Sequence, residues 1–208
     1  MADLAFDLAA PLAAPVSARL RDAVDVEGKL PRTLLALGLP TAGDVALLGD
    51  PEGWQAARLA AAGIKVQSAP LEEPFRLGHD DGSLDAVVSL WSAFRGVDPA
   101  TLDEADRVLR VGGRLLVVHD YGRDDVSALR PVDALEYTRW SRRDGPFLRD
   151  GGFRIHVLHC FWTFATIEDA CEILADSFGE RGAAVGAALR RPRLSWNVAI
   201  YHRTRAPA

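Results

Sequence analysis

The alternation of short apolar runs with helical stretches constrains the fold of this chain more than any other feature. Most of the runs are continuous and aliphatic, which is typical of strands buried on both faces of a parallel sheet. The predicted strands are 45–48, 64–66, 84–90, 115–118, 153–164 and 196–202, and the predicted helices are 54–62, 100–109, 126–140 and 167–178. Such alternation predicts an α/β fold with a parallel-rich sheet covered by helices on both faces.

The organisation of the chain fits a single domain of 208 residues. That length is enough to bury roughly 70% of the unfolded surface. Residues 1–42 are rich in Ala, Leu and Arg and are interrupted by several prolines, so we expect short helices there. Residues 43–208 then form the α/β core.

Composition and charge exclude several classes of protein. The net charge of −5 gives no reason to expect a nucleic-acid partner, and no run of eighteen apolar residues could span a membrane. Residues 1–7 hold two acids and no basic residue, which argues against a signal peptide and favours the cytoplasm. Cys160 and Cys171 form no metal-binding pattern, and none of the five histidines joins a ligand triad, so we predict no metal. Arginines 190, 191 and 193 are interpreted as solvated surface charge.

Two stretches of sequence carry a resemblance to a known family. Residues 81–89 read DGSLDAVVS and residues 104–118 read EADRVLRVGGRLLVV. Together they resemble the pattern that class I S-adenosylmethionine-dependent methyltransferases show from their fourth strand to their fifth. Residues 147–153, FLRDGGF, resemble that family's entry into the sixth strand, and the last predicted strand resembles its antiparallel seventh.

The resemblance implies a doubly wound, Rossmann-like sheet of seven strands. Little room is left between Val66 and Leu84 for a further helix and strand, so the sheet is expected to be one strand short. Ligands would lie at the carboxyl ends of the strands, where the strand order reverses. The cofactor would be S-adenosyl-L-methionine and the partner a small-molecule acceptor, while a homodimer is left open.

The glycine-rich turn of the family can be placed in two ways. In the first, residues 45–53 are the first strand and its turn, with Gly49 and Gly53 kept and Pro51 in the middle glycine position. Residues 67–69 then stand where the family has the acid that binds the ribose. In the second, Asp50 is that acid at the end of the second strand, and the glycine turn is missing. We favour the first, and the predicted cofactor-binding residues are Gly49, Asp50, Glu52, Gly53 and Trp91.

Side chains after the next two strands complete the candidate site. Trp91 follows the strand 84–90 together with Ser92, Phe94 and Arg95, and an exposed aromatic ring there would stack on a ligand ring. His119, Asp120 and Tyr121 follow the strand 115–118 and are the predicted catalytic residues. His119 has the chemistry to accept a proton from an acceptor group, but neighbouring residues of a strand face opposite sides, which argues against a direct His119–Asp120 pair.

Two functions follow from these patterns. The first is a methyltransferase that works mainly by holding donor and acceptor in line. The alternative is a methyltransferase-like protein that has lost the cofactor and serves in binding or dimerisation, as Pro51 and the missing ribose acid suggest. A Rossmann oxidoreductase is disfavoured because no G-x-G-x-x-G follows a predicted strand, and a hydrolase because no G-x-S-x-G is present.

Overall fold

The computed structural model describes residues 14–50, 52–71 and 75–207. Six strands lie in these ranges: β1 Val45–Leu48, β2 Gln67–Ala69, β3 Leu84–Leu90, β4 Leu109–Asp120, β5 Arg154–Thr163 and β6 Arg193–Thr204. The helices are α1 Ala14–Ala23, α2 Lys29–Ala36, α3 Trp54–Ala61, α4 Pro99–Val108, α5 Pro131–Trp140, α6 Pro146–Arg149 and α7 Ile167–Ala187, with a 3₁₀ helix at Val126–Leu129. The predicted strand–helix alternation is therefore confirmed.

The six strands form one sheet in the order β2-β1-β3-β4-β6-β5. The pairs from β2 to β4 are parallel, and β6 runs antiparallel to both of its neighbours. This is a doubly wound sheet with an antiparallel strand at its carboxyl-terminal end, as predicted, and it holds six strands in the part of the chain described.

The strand order decides between the two placements of the glycine turn. In the doubly wound order the first strand lies next to the strand that follows the crossover to the other half of the sheet. Here β1 pairs directly with β3, the strand that carries the DGSLDAVVS motif. The placement with Val45–Leu48 as first strand is therefore correct, and the one that made it the second strand is wrong. Pro51 itself lies outside the described residues.

The strand predicted at 64–66 is wrong, because β2 begins three residues later, at Gln67. The end of α3 explains the error. Gly63 has a φ of +80° and closes the helix. The Gly63 amide donates to the Ala60 carbonyl, and the Ile64 amide donates to the Leu59 carbonyl at 3.0 Å, as in a Schellman motif. Ile64 is fully buried as part of that cap, so β2 begins only at Gln67.

Two helix boundaries also differ from the prediction. The helix expected at 126–140 is broken before Pro131, because proline has no amide to continue the ladder. The helix expected to reach residue 109 ends at Val108, where β4 begins. The helix expected to stop at Gly179 does lose its helical geometry there, with φ 59° and ψ −139°, and a second helical stretch then follows to Ala187.

A buried carboxylate, Asp25, joins the start of α2 to α3. Asp25 accepts the Lys29 and Leu30 amides at the start of α2, both at 2.9 Å, and pairs with Arg58 of α3 at 3.1 Å.

Residues 1–13 lie outside the described ranges. Apolar cores cover both faces of the sheet. Among the described residues, no helix has the length and apolar character needed to cross a membrane.

Candidate ligand-binding site at the carboxyl edge of the sheet

The strand order reverses between β1 and β3. The chain runs from β1 through α3 to β2, which lies on one side of β1 in the sheet. The next strands, β3 and β4, lie on the other side of β1. Ligands of doubly wound sheets bind in the crevice outside the carboxyl ends of the strands at this point. The turns that follow β1, β3 and β4 therefore form the candidate site.

The turn after β1 is covered at its first glycine. Gly49 has a φ of +64°, and its amide donates to the Ala69 carbonyl at 3.0 Å. A Cβ at this position would lie 2.7 Å from Ser92 Cβ and 2.8 Å from Leu71 Cδ1. Only glycine fits here, and the space directly above its backbone is occupied by Leu71 and Ser92.

The same turn is open at its second glycine. Gly53 has a φ of +69°, and among the described residues no atom lies within 4 Å of where its Cβ would be. Glu52 beside it is exposed and forms an ion pair with Arg21 of α1. The predicted residues Gly49 and Gly53 thus lie in one turn, but only Gly53 faces free space.

Asp50 caps the helix that follows this turn. Its carboxylate accepts the Ala56 amide at 2.8 Å and the Gln55 amide at 3.2 Å, while Gly53 at the N-cap position offers no side chain. A negative charge at a helix N-terminus is stabilising. These bonds fix the orientation of the carboxylate, and the Asp50 residue is partly exposed.

The turn after β3 holds two bulky residues in the left-handed region. Trp91 has a φ of +52° and Phe94 a φ of +61°, conformations that bulky side chains adopt rarely and at a cost of roughly 1–3 kcal/mol each. Ser92 between them donates its hydroxyl to the Leu48 carbonyl at 2.7 Å, and the Ala93 amide donates to Ser89 Oγ at 2.9 Å. The turn is thereby bonded to the end of β1.

Asp120 is a buried carboxylate held by two tryptophans. Its Oδ1 accepts the indole N–H of Trp91 at 3.0 Å and that of Trp196 at 2.9 Å, and the two rings stack with centroids 5.3 Å apart. Arg130 Nη1 lies 3.9 Å from Oδ2. Burial raises the pKa of Asp120 to about 6, although the arginine and the two indoles act in the opposite direction.

His119 faces the opposite side of the sheet, as the alternation of strand residues predicts. Its ring packs against Trp140, with centroids 4.8 Å apart, and Nε2 lies 3.0 Å from the Phe94 carbonyl. Burial lowers the pKa of His119 to about 4, so the ring is neutral at pH 7 and donates its Nε2 proton to that carbonyl. His119 therefore supports the strained turn after β3.

Tyr121 is the least buried of the three predicted catalytic residues. Its ring lies beneath the guanidinium of Arg123, 5.5 Å from the centroid, and its hydroxyl accepts from Arg123 Nη1 at 3.5 Å. Its backbone amide donates to the Asn197 carbonyl at 2.8 Å. The phenol is thus a polar group that directly follows β4 at this edge.

The structure brings some of the predicted residues together and separates others. Trp91 joins Asp120 through its indole, but it is only 2% exposed, so one of the predicted ligand-stacking rings is packed into the core. His119 and Asp120 do not meet. Sequence reasoning missed Trp196 and Arg130. Trp196 lies 76 residues from Asp120 on β6, and Arg130 is brought back to the carboxylate by the 3₁₀ helix, so neither contact has a signal in the local sequence pattern.

Comparisons with known proteins show the fold and no closer relationship. No family model matches the sequence, and no curated protein matches it significantly. A candidate type II methyltransferase from Anaeromyxobacter dehalogenans superposes with a TM-score of 0.55 at 20% identity, covering 87% of this chain and 97% of that one. A candidate methyltransferase of an antibiotic biosynthesis pathway from Anabaena variabilis superposes with a TM-score of 0.56 at 15% identity, covering 88% of this chain and 99% of that one. The chain shares the Rossmann-like fold of these two proteins.

Proposed function

We propose that this chain binds S-adenosylmethionine at the turn between β1 and α3 and transfers its methyl group to a small acceptor. The observation that carries the proposal is the open turn at Gly53, with the Asp50 carboxylate beside it, at the point where the strand order reverses. The solved structures of similar fold are named as methyltransferases. The proposal also rests on the motif resemblance of residues 81–118.

Asp50 and Gly53 are the residues proposed to hold the cofactor. Each Asp50 oxygen accepts one backbone amide, and a carboxylate oxygen has a second lone pair for a ribose hydroxyl. Gly53 lets a ligand approach the backbone, and the exposed carboxylate of Glu52 stands beside it. S-adenosylmethionine, when bound, supplies an electrophilic methyl group.

The residues after β3 and β4 are proposed to orient the acceptor. Asp120 fixes the Trp91 indole and His119 fixes the Phe94 carbonyl, so both act as positioning residues for the strained turn. Tyr121 presents its hydroxyl at the edge and is the proposed contact for the acceptor. Because methyl transfer depends on alignment, rigid turns around the ligands are what the chemistry needs.

The second candidate function is a binding protein without the cofactor. Leu71 and Ser92 fill the space over Gly49, and the Asp50 carboxylate already serves as a helix cap. These contacts would leave a shorter crevice than a full nucleoside site requires.

The location in the cytoplasm and a homodimer stay predictions from the sequence.

Calorimetry with S-adenosylhomocysteine separates the two functions. The wild type should give a saturable heat, and Asp50→Asn should weaken binding by about tenfold or more, since a hydrogen bond to a charged group is lost. Thr166→Ala is the matched control, because it removes the cap of α7, where Thr166 Oγ1 accepts the Asp169 amide at 3.1 Å. It should bind as the wild type does. No heat at millimolar ligand would contradict the proposal and favour the second candidate.

A further inference from the structure

A cavity lies at the far end of the same sheet edge, away from the turn at Gly53. Asp120, the last residue of β4, pairs with Val198, so residues 193–197 of β6 extend past the carboxyl end of β4. Between this overhang, the end of α7 and the 3₁₀ helix lies a cavity of about 440 Å³. Its size is that of a small-molecule site. None of its lining residues belongs to the site around Gly53.

The floor of this cavity is apolar and its rim is basic. Phe161, Val185, Leu189 and Leu194 line the floor, and Arg190, Arg191 and Arg193 line the rim. The three arginines are exposed, although the sequence alone indicated only solvated charge. The structure instead places them around one hollow.

The charges of the rim are arranged to receive an anion. Arg193 lies over the Phe161 ring at 4.5 Å, which holds its guanidinium at the mouth of the cavity. Asp125, the acid in the lining, is fixed at the start of β6, since its Oδ2 accepts the Ser195 amide at 2.8 Å and the Ser195 hydroxyl at 2.7 Å. Among the described residues, no acid lies within ion-pair distance of Arg190, Arg191 or Arg193.

We propose that this cavity binds a small amphipathic anion, with its carboxylate or phosphate at the three arginines and its apolar part on the floor around Phe161 and Leu189. Guanidinium groups form paired, charge-assisted hydrogen bonds with such oxygens. The apolar floor adds burial of a hydrocarbon chain or ring. The site is independent of the proposed function, because it shares no residue with the turn at Gly53.

Calorimetry with 4-phenylbutyrate tests this site. The probe should bind the wild type at least about tenfold more tightly than 4-phenylbutanamide, which has the same ring and chain without the charge. It should also bind at least about tenfold more tightly than acetate or inorganic phosphate, which have the charge without the apolar part. The triple variant R190Q/R191Q/R193Q should lose at least about tenfold in affinity.

The matched control removes the same net charge from three arginines elsewhere on the surface, Arg139, Arg142 and Arg143. R139Q/R142Q/R143Q alters three exposed arginines outside the cavity and should bind the probe as the wild type does. The proposal is overturned if both triple variants lose affinity equally or if R190Q/R191Q/R193Q binds normally. Equal affinity for the amide and the carboxylate, or for phosphate and 4-phenylbutyrate, overturns it as well, and these tests need only the wild-type protein.

Discussion

Replacing Gly49 by alanine tests the packing over the turn after β1. At a φ of +64° an alanine costs roughly 1–2 kcal/mol, because its Cβ approaches the following carbonyl. The Cβ would also lie 2.7 Å from Ser92 and 2.8 Å from Leu71, and such overpacking costs roughly 1–3 kcal/mol. The free energy of unfolding should therefore fall by about 2–5 kcal/mol.

Gly53→Ala is the matched control for this prediction. Its φ of +69° gives the same backbone cost, but no described atom lies within 4 Å of the new Cβ, so only about 1–2 kcal/mol should be lost. Urea denaturation of both variants measures the difference, and in a chain of this size each kcal/mol also lowers Tm by about 2–4 °C. Equal losses in the two variants would refute the conclusion that Leu71 and Ser92 cover the first glycine alone.

Two further predictions concern buried polar groups. Burial raises the pKa of Asp120 to about 6, so the folded state holds this proton more tightly than the unfolded state does. Asp120 therefore makes the free energy of unfolding fall as pH rises from about 4 to about 6. The pKa of His119, lowered to about 4, makes stability rise between pH 4 and 6.5, so the two slopes oppose each other. Urea denaturation at several pH values in this range measures the free energy of unfolding. It should rise with pH more steeply in Asp120→Asn than in the wild type, and it should decline with pH in His119→Gln. Profiles parallel to that of the wild type would contradict the assignment. Ser92→Ala should cost about 1–3 kcal/mol, because it leaves the buried Leu48 carbonyl without its donor; a loss below about 0.5 kcal/mol in the same assay would argue against that bond.

The sequence predicts those parts of the fold that depend on local pattern. The strands 45–48 and 84–90 have the predicted bounds, because each is a continuous apolar run between turn residues. The error at 64–66 also has a local origin. Ile64 is apolar and buried in a helix cap, and hydrophobicity alone does not distinguish a cap residue from a strand residue.

The candidate site depends on contacts between distant parts of the chain, and these were not predictable in the same way. Gly49 is identified by its motif, yet what covers it comes from the loops after β2 and β3. Asp120 bonds Trp91 and Trp196, which lie 29 and 76 residues away. Only the strand order brings these groups together. The resemblance implied a doubly wound sheet, which is confirmed, and the structure supplies the order.

The surroundings of Arg190, Arg191 and Arg193 were likewise not predictable from the sequence. As a sequence cluster they are typical of solvated surface charge. Their position around an apolar cavity depends on Phe161 of β5 and Val185 of α7, which reach the same place from separate elements. Charge alone therefore did not indicate a site, and the proposal depends on the apolar residues that the fold places beside the arginines.

A crystal structure of the protein grown with S-adenosylhomocysteine tests the central claim most directly. The expected result is density for the nucleoside over Gly53, with the ribose hydroxyls within hydrogen-bond distance of the Asp50 carboxylate. Density at any other place, or a crevice without ligand in which Leu71 and Ser92 still cover the turn, would contradict it.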